Sequence, residues 1–177
     1  MTARTFVVFA IVAGLSAAGG IAYHLSSPGS GAGKDEAKVV ERVLAASLAD
    51  VQGGASSVGQ WRGRVLVVNY WATWCAPCRE EIPVFVRLQE RYGDRGLQFV
   101  GIAIDQPAKV SEFAAEFRVN YPLLIAGVES LELLRQAGNR AGVLPYTLII
   151  DRKGNLVSRE PGGLKEARLE SIIKPLL

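Results

Sequence analysis

Residues 65–78 read VLVVNYWATWCAPC and hold both cysteines of this 177-residue chain, Cys75 and Cys78. The run at 65–71 is almost entirely apolar or aromatic, which predicts a strand buried on both faces. The residues after Cys78 place apolar side chains at helical spacing, and Pro77 suits the first turn of a helix because that turn does not need its missing N–H. We therefore expect the cysteine pair at the junction of a strand and a helix.

The spacing and isolation of the two cysteines predict reversible disulfide exchange. Without a third cysteine they form neither a multi-bridge framework nor a four-cysteine zinc site. Unpaired N–H groups and the dipole at a helix N-terminus stabilise a thiolate, so we expect Cys75 to be the nucleophile and Cys78, one turn further, to resolve the mixed disulfide. Ala76 is small and leaves the approach to Cys75 open. The alternative is a structural disulfide, but a loop this short stabilises little.

The N-terminal segment predicts a membrane anchor. Phe6 to Tyr23 has no charged side chain and is about 18 residues long, the short limit for crossing a bilayer. Arg4 precedes it, so the positive-inside tendency places the N-terminus in the cytoplasm and the rest outside. We expect a single-pass protein of the inner membrane with its catalytic domain in the periplasm. The alternative is a soluble periplasmic protein released by signal cleavage.

Composition divides the chain into an anchor at 1–25, a flexible linker at 26–42 and one domain at 43–177. Ser, Gly and Pro dominate 26–33, as in a flexible tether. The charged stretch 34–42 is consistent with either a short helix or continued disorder. The net charge is only +3 and charges of both signs are interspersed, so nothing predicts nucleic-acid binding.

The domain sequence alternates short apolar runs with helical periods, the signature of an α/β fold. Strands at 65–71 and 97–104 are each followed by a helical pattern, which predicts a parallel core with right-handed crossovers. Residues 146–159 contain two strand-like runs around a Gly-Asn turn and predict a hairpin. A terminal helix follows at 164–176.

This order of elements, with Trp-Cys-x-x-Cys at the first domain helix, resembles the thioredoxin fold, a central mixed sheet flanked by helices. In detail it resembles the membrane-anchored thioredoxin-like oxidoreductases of the TlpA/ResA type. The matching segments are VVNYWATWCAPCREEIP at 67–83, GVLPYTLIID at 142–151 and KGN at 153–155.

The resemblance implies a thiol-disulfide oxidoreductase that reduces disulfides in exported proteins, with cytochrome c or oxidase assembly among its roles. Electrons would come from a membrane donor of the DsbD/CcdA kind. The resemblance implies no cofactor beyond the cysteine pair and no metal, and we expect a monomer.

The same resemblance assigns roles to single residues. Pro145 matches a cis-proline that faces the cysteine pair, and Glu81 matches an acidic residue that could take the proton of Cys78. The alternative for Glu81 is a solvated carboxylate paired with an arginine. Asn69 stands where cytoplasmic thioredoxins carry a buried aspartate. The residues expected to contact the substrate are Trp74, Ala76, Pro77, Leu144 and Pro145.

Three observations bear on specificity and on competing functions. Cytochrome-specific relatives often carry Pro-Glu-Thr where this chain has Pro145-Tyr146-Thr147, which weakens that assignment. A Cu(I)-binding metallochaperone would need further soft ligands, but Met1 and His24 are the only methionine and histidine. A peroxiredoxin-like peroxidase would use an isolated cysteine rather than this pair.

Overall fold

A computed structural model describes residues 29–127 and 130–177. Within these residues seven strands form one sheet: β1 (Ser47–Asp50), β2 (Ala55–Ser57), β3 (Val65–Trp71), β4 (Leu97–Ala103), β5 (Leu123–Ile125), β6 (Tyr146–Ile150) and β7 (Leu156–Pro161). Their order across the sheet is β2-β1-β5-β4-β3-β6-β7. β3, β4 and β5 run parallel, while β6 and β7 form the antiparallel hairpin and β1 pairs antiparallel with β5. The predicted mixed sheet is confirmed.

The helices cover both faces of the sheet. They are α1 (Gly29–Ala45), α2 (Ala76–Tyr92), α3 (Pro107–Glu116), α4 (Ser130–Gln136) and α5 (Glu166–Ile173). Buried side chains of α2, α3 and α5 share one core with Val65, Val67 and Trp71 of β3. Side chains of α1 and α4 share the other core with Leu66, Val68 and Tyr70. All seven residues of β3 are therefore buried, as its apolar sequence predicted.

The N-terminal boundary of the domain differs from the expectation, whereas a helix was one of the two alternatives for 34–42. Helix α1 covers most of the stretch predicted as a linker at 26–42, and Val40, Val43 and Leu44 from it are buried in the core. The ordered domain thus begins before residue 43, because an apolar face at helical spacing outweighs the polar composition around it.

The predicted anchor at Phe6 to Tyr23, with His24 beside it, lies outside the described residues. Among the helices in the described ranges, none combines the length and the hydrophobicity needed to cross a membrane.

The boundaries at the C-terminus also shift slightly. The terminal helix predicted at 164–176 is α5 at Glu166–Ile173, followed by a short 3-10 turn at Lys174–Leu176. Ion pairs join its outer side to α2, among them Arg87 with Glu166 at 2.8 Å and Arg91 with Glu170 at 3.0 Å. These contacts join α5 to the C-terminal half of α2, at the end of the helix away from the cysteines.

Candidate active site

Cys75 caps the N-terminus of α2. Its backbone is extended, with φ −86° and ψ 105°, and its sulfur accepts the N–H of Cys78 at 3.3 Å. The two cysteines form a disulfide with Cα atoms 5.3 Å apart, within the usual range. Cys75 is 6% exposed, whereas Cys78 is completely buried. Cys75 is therefore the cysteine of the pair that retains some exposed surface, at a helix end that stabilises a thiolate.

The surface around Cys75 is apolar and open. Trp74 is 69% exposed, and Ala76 and Pro77 are exposed beside it. Trp71 is instead fully buried, with its ring 4.8 Å from that of Phe113. Of the two tryptophans in the motif, Trp74 is thus the one that a partner protein can contact.

An aspartate that sequence reasoning missed holds the loop before the cysteines. Asp105 follows β4, and its Oδ2 accepts both the N–H of Thr73 at 3.1 Å and its hydroxyl at 2.6 Å. Its Oδ1 accepts the N–H of Gln106 at 2.8 Å. These hydrogen bonds hold the pKa of Asp105 below its usual value even though partial burial raises it. A charged carboxylate therefore anchors the residue next to Trp74.

Arg79 is a second residue that the sequence did not single out. Its guanidinium lies 5.1 Å from the ring centres of both Phe113 and Phe117, and it donates to the carbonyl of Thr73 at 3.4 Å. Stacking on aromatic faces is favourable for a guanidinium. The contact places an exposed positive charge one helical turn from Cys75.

The Leu144–Pro145 peptide bond is cis, as the resemblance implied. Pro145 directly precedes β6, whose Tyr146 pairs with Tyr70 of β3. Because Tyr70 and Trp71 lead into the cysteine loop, this pairing brings the proline to the same end of the sheet as the disulfide. Leu144 is half-buried and packs against both cores.

Glu81 is buried behind the disulfide, one turn beyond Cys78 in α2. It is 3% exposed, so the alternative of a solvated carboxylate is wrong. Its Oε1 accepts from Asn69 Nδ2 at 2.8 Å and its Oε2 from the backbone N–H of Leu164 at 2.9 Å. Glu80, its neighbour on the helix, is exposed.

Burial raises the pKa of Glu81 from 4.5 to about 7, while the hydrogen bonds from Leu164 and Asn69 act to lower it. The carboxyl can therefore gain or lose a proton near neutral pH. Because the folded state holds this proton more tightly than the unfolded chain, stability falls as pH rises from about 4.5 to about 7. This cost is typical of a functional group rather than a stabilising one.

A surface cleft of about 300 Å³ gives Glu81 contact with solvent. Pro77 and Val84 of α2 line one side, and Gly163 and Leu164 line the other. The lining of the cleft thus includes Glu81 together with Pro77 of the cysteine motif.

The structure brings together residues that lie far apart in the chain. Cys75, Cys78 and Glu81 come from α2, Asn69 from β3 and Pro145 from the loop before β6. Asn69 also donates to the hydroxyl of Thr147 at 3.0 Å. In the described ranges no cluster of three or more His, Cys, Asp or Glu side chains could hold a metal ion.

Comparison with known proteins gives consistent matches. The Redoxin family profile matches residues 36–173. The chain is 30% identical over 130 residues to thiol-disulfide oxidoreductase ResA of Geobacillus kaustophilus, covering 71% of this chain and 72% of that protein. It is 27% identical to ResA of Halalkalibacterium halodurans over 143 residues, covering 78% and 79%. A thioredoxin-family thiol:disulfide interchange protein from Chlorobium tepidum superposes with a TM-score of 0.64 at 32% identity, covering 74% of this chain and 92% of that one.

Proposed function

This chain belongs to the Redoxin family and is a thiol-disulfide oxidoreductase of the TlpA/ResA type, and we propose that it acts as an extracytoplasmic reductase of disulfides in exported proteins. The observation that carries the proposal is the unequal environment of the two cysteines. Cys75 is reachable at a helix N-terminus, while Cys78 is buried on the same helix as the buried carboxyl of Glu81.

The proposed reaction has two steps. The thiolate of Cys75 attacks a substrate disulfide, forms a mixed disulfide and releases one substrate thiolate. Glu81 then takes the proton of Cys78, whose thiolate attacks the sulfur of Cys75 and releases the second substrate thiolate. Two electrons pass from the dithiol to the substrate, leaving the Cys75–Cys78 disulfide, and the proton on Glu81 leaves through the cleft. The cysteine pair is the only redox group the reaction needs.

The substrate would lie against the exposed surface beside Cys75. We propose that Trp74, Ala76 and Pro77 contact it on one side and Leu144 and Pro145 on the other. Pro145 directly precedes β6, the strand that pairs with β3 beside the cysteine loop. This arrangement suits a protein segment with an extended backbone around its disulfide.

The proposed location follows from the apolar segment Phe6 to Tyr23, with Arg4 on its cytoplasmic side. Such an anchor would hold the domain at the outer face of the inner membrane. That compartment is oxidising, so a reductase there needs electrons from a membrane donor of the DsbD/CcdA kind.

The substrate class is disulfides of exported proteins, with assembly of cytochrome c or of an oxidase as candidates. Tyr146 occupies the position that is acidic in many cytochrome-specific relatives. Here it is buried, and its hydroxyl donates to the carbonyl of Ala137 at 2.9 Å. Tyr146 therefore contributes to packing between β6 and α4 and does not offer a charge to a substrate.

The equilibrium potential of the Cys75/Cys78 couple tests the direction of the reaction. Measured in glutathione or dithiothreitol buffers, it should lie nearer to thioredoxin, at about −270 mV, than to the oxidant DsbA, at about −120 mV. A value close to that of DsbA would mean that the protein oxidises its partners, and the proposed direction would be wrong.

A further inference from the structure

The polar cluster behind the disulfide leaves one atom without a partner. Asn69 is 2% exposed, and its Nδ2 donates both to Oε1 of Glu81 and to Oγ1 of Thr147. Its Oδ1 is buried and has no hydrogen-bond partner. Buried polar atoms are nearly always paired, so an amide that uses its donor side twice and its acceptor side not at all needs an explanation.

The contacts of Glu81 distinguish its two carboxyl oxygens. Oε2 accepts the backbone N–H of Leu164, and a backbone N–H can only donate. Because a protonated carboxyl oxygen is the poorer acceptor, a proton on Oε1, the oxygen that faces Asn69, leaves the hydrogen bond from Leu164 intact. In the present arrangement the O–H of Glu81 would then point at the NH₂ of Asn69, and two donors would oppose each other.

We propose that Asn69 is a positioning residue whose side-chain amide turns over when Glu81 takes up a proton. The turn brings Oδ1 of Asn69 to the place of Nδ2, where it accepts the O–H of Glu81. The hydroxyl of Thr147 can donate as well as accept, so it then donates to the same Oδ1. The amide makes two hydrogen bonds before and after the turn, and the group left without a partner changes from the oxygen to the NH₂. This inference rests on the proposed role of Glu81 as proton acceptor.

Other titratable groups lie near Glu81. Cys78 is one turn away on the same helix. Burial raises the pKa of Tyr121, in the segment before β5, and the negative charge of Glu81 raises it further. Glu80, Lys165 and Glu166 line the cleft into which Glu81 opens. Asn69 differs from all of these because it contacts Glu81 directly and changes no charge itself.

The titration of the reduced full-length chain, followed by NMR with labelled asparagine and glutamate, tests the proposal without any substitution. The carboxyl carbon of Glu81 and the side-chain carbonyl carbon of Asn69 should show inflections at the same pH. The carbonyl carbon of Asn69 should move downfield at low pH, because its oxygen then accepts hydrogen bonds. If Glu81 titrates while this carbon stays unchanged, the amide does not turn over and the proposal is wrong.

Substitutions separate positioning from packing. Asn69→Leu removes both the donor and the acceptor at similar volume, and should raise the pKa of Glu81 by about one unit. Cleavage of a mixed disulfide on Cys75 should then slow about fivefold at pH 7, because a one-unit rise cuts the ionised fraction of Glu81 by that factor. It should approach the wild-type rate at pH 9. A rate lowered equally at every pH would indicate a packing defect and contradict the proposal.

Thr147→Val is the matched control, since it removes the second partner of Asn69 and leaves the contact with Glu81. It should shift the pH profile less than Asn69→Leu does; an equal or larger shift would contradict the proposal.

Glu81→Gln distinguishes this inference from the proposed function. If the Glu81→Gln variant resolves mixed disulfides as fast as wild type, the proposed transfer of a proton to Glu81 is wrong. That holds even if the NMR signal of Asn69 follows the titration of Glu81 in the wild-type protein. If it is slow but the signal of Asn69 is flat, only the present inference fails.

Discussion

Cys75 and Cys78 are one helical turn apart, yet the residues around them differ in exposure and polarity. We call Trp74, Cys75, Ala76 and Pro77 the exchange rim, and Asn69, Cys78, Glu81 and Thr147 the proton cluster. Trp74, Ala76 and Pro77 of the rim are exposed and carry no ionisable side chain, whereas every member of the proton cluster is buried. The difference is consistent with the division of labour that we propose, in which the rim meets the partner protein and the cluster moves the proton that resolution requires.

The largest effect should come from replacing each of the two cysteines in turn. Cys78→Ser leaves a nucleophile on the rim and nothing to resolve its product, so mixed disulfides should accumulate on Cys75. Cys75→Ser should abolish exchange, because the remaining thiol is buried. Non-reducing gels of cells expressing each variant, followed by identification of the trapped proteins, make the comparison. Trapping by Cys75→Ser instead would reverse the assignment.

A tenfold effect is expected for the apolar contact of the rim. Trp74→Ala removes the exposed indole and should lower kcat/KM for a protein disulfide by about tenfold, the size of a modest interface contact. Reduction of a small disulfide such as oxidised glutathione should change little, since it does not span the rim. Val157→Ala, at an exposed apolar residue of β7, is the control. Equal losses on both substrates would show that Trp74 supports the structure of the site and not docking.

A smaller effect should follow from removing one of the hydrogen bonds between Thr73, which precedes the exchange rim, and Asp105. Thr73→Val removes the hydroxyl that donates to Asp105 and keeps the backbone N–H bond to the same carboxylate. Loss of one such bond should lower kcat/KM for protein disulfides about threefold. Thr73→Ser retains the hydroxyl and should restore the activity. A valine variant as active as wild type would show that the backbone contact alone holds the loop.

The framework around the rim could be predicted because its signals are local. The continuous apolar run of β3, the turn residues of the hairpin and the helical spacing in α2 each point to one structure. The cis bond before Pro145 came from the family resemblance and not from the residues alone. The burial of Glu81 was open at the sequence level, since a glutamate on a helix is more often solvated.

The missed residues depend on pairing between distant segments. Trp71 of β3 lies opposite Ala103 of β4 in the parallel register. Extending that register by two residues places Thr73 opposite Asp105, so correct pairing of the strands would have predicted this contact. The bond from Leu164 to Glu81 has no such signal, because it depends on how the loop before α5 packs. Helix α1 did carry a signal, the spacing of Val39, Val40, Val43 and Leu44, that its polar composition obscured.

The most direct test of the division of labour measures resolution alone. A thiol peptide is attached to Cys75 with Cys78 free, and its release is followed by rapid mixing between pH 5 and pH 9. The wild-type rate should rise with an inflection close to the pKa of Glu81, about 7. Glu81→Gln should lose that inflection and slow release about 100-fold at neutral pH, within the range of general acid–base catalysis. Glu80→Gln, the exposed neighbour, should match wild type. Unchanged release by Glu81→Gln, with an inflection only near about 8.5 where a free thiol ionises, would contradict the account.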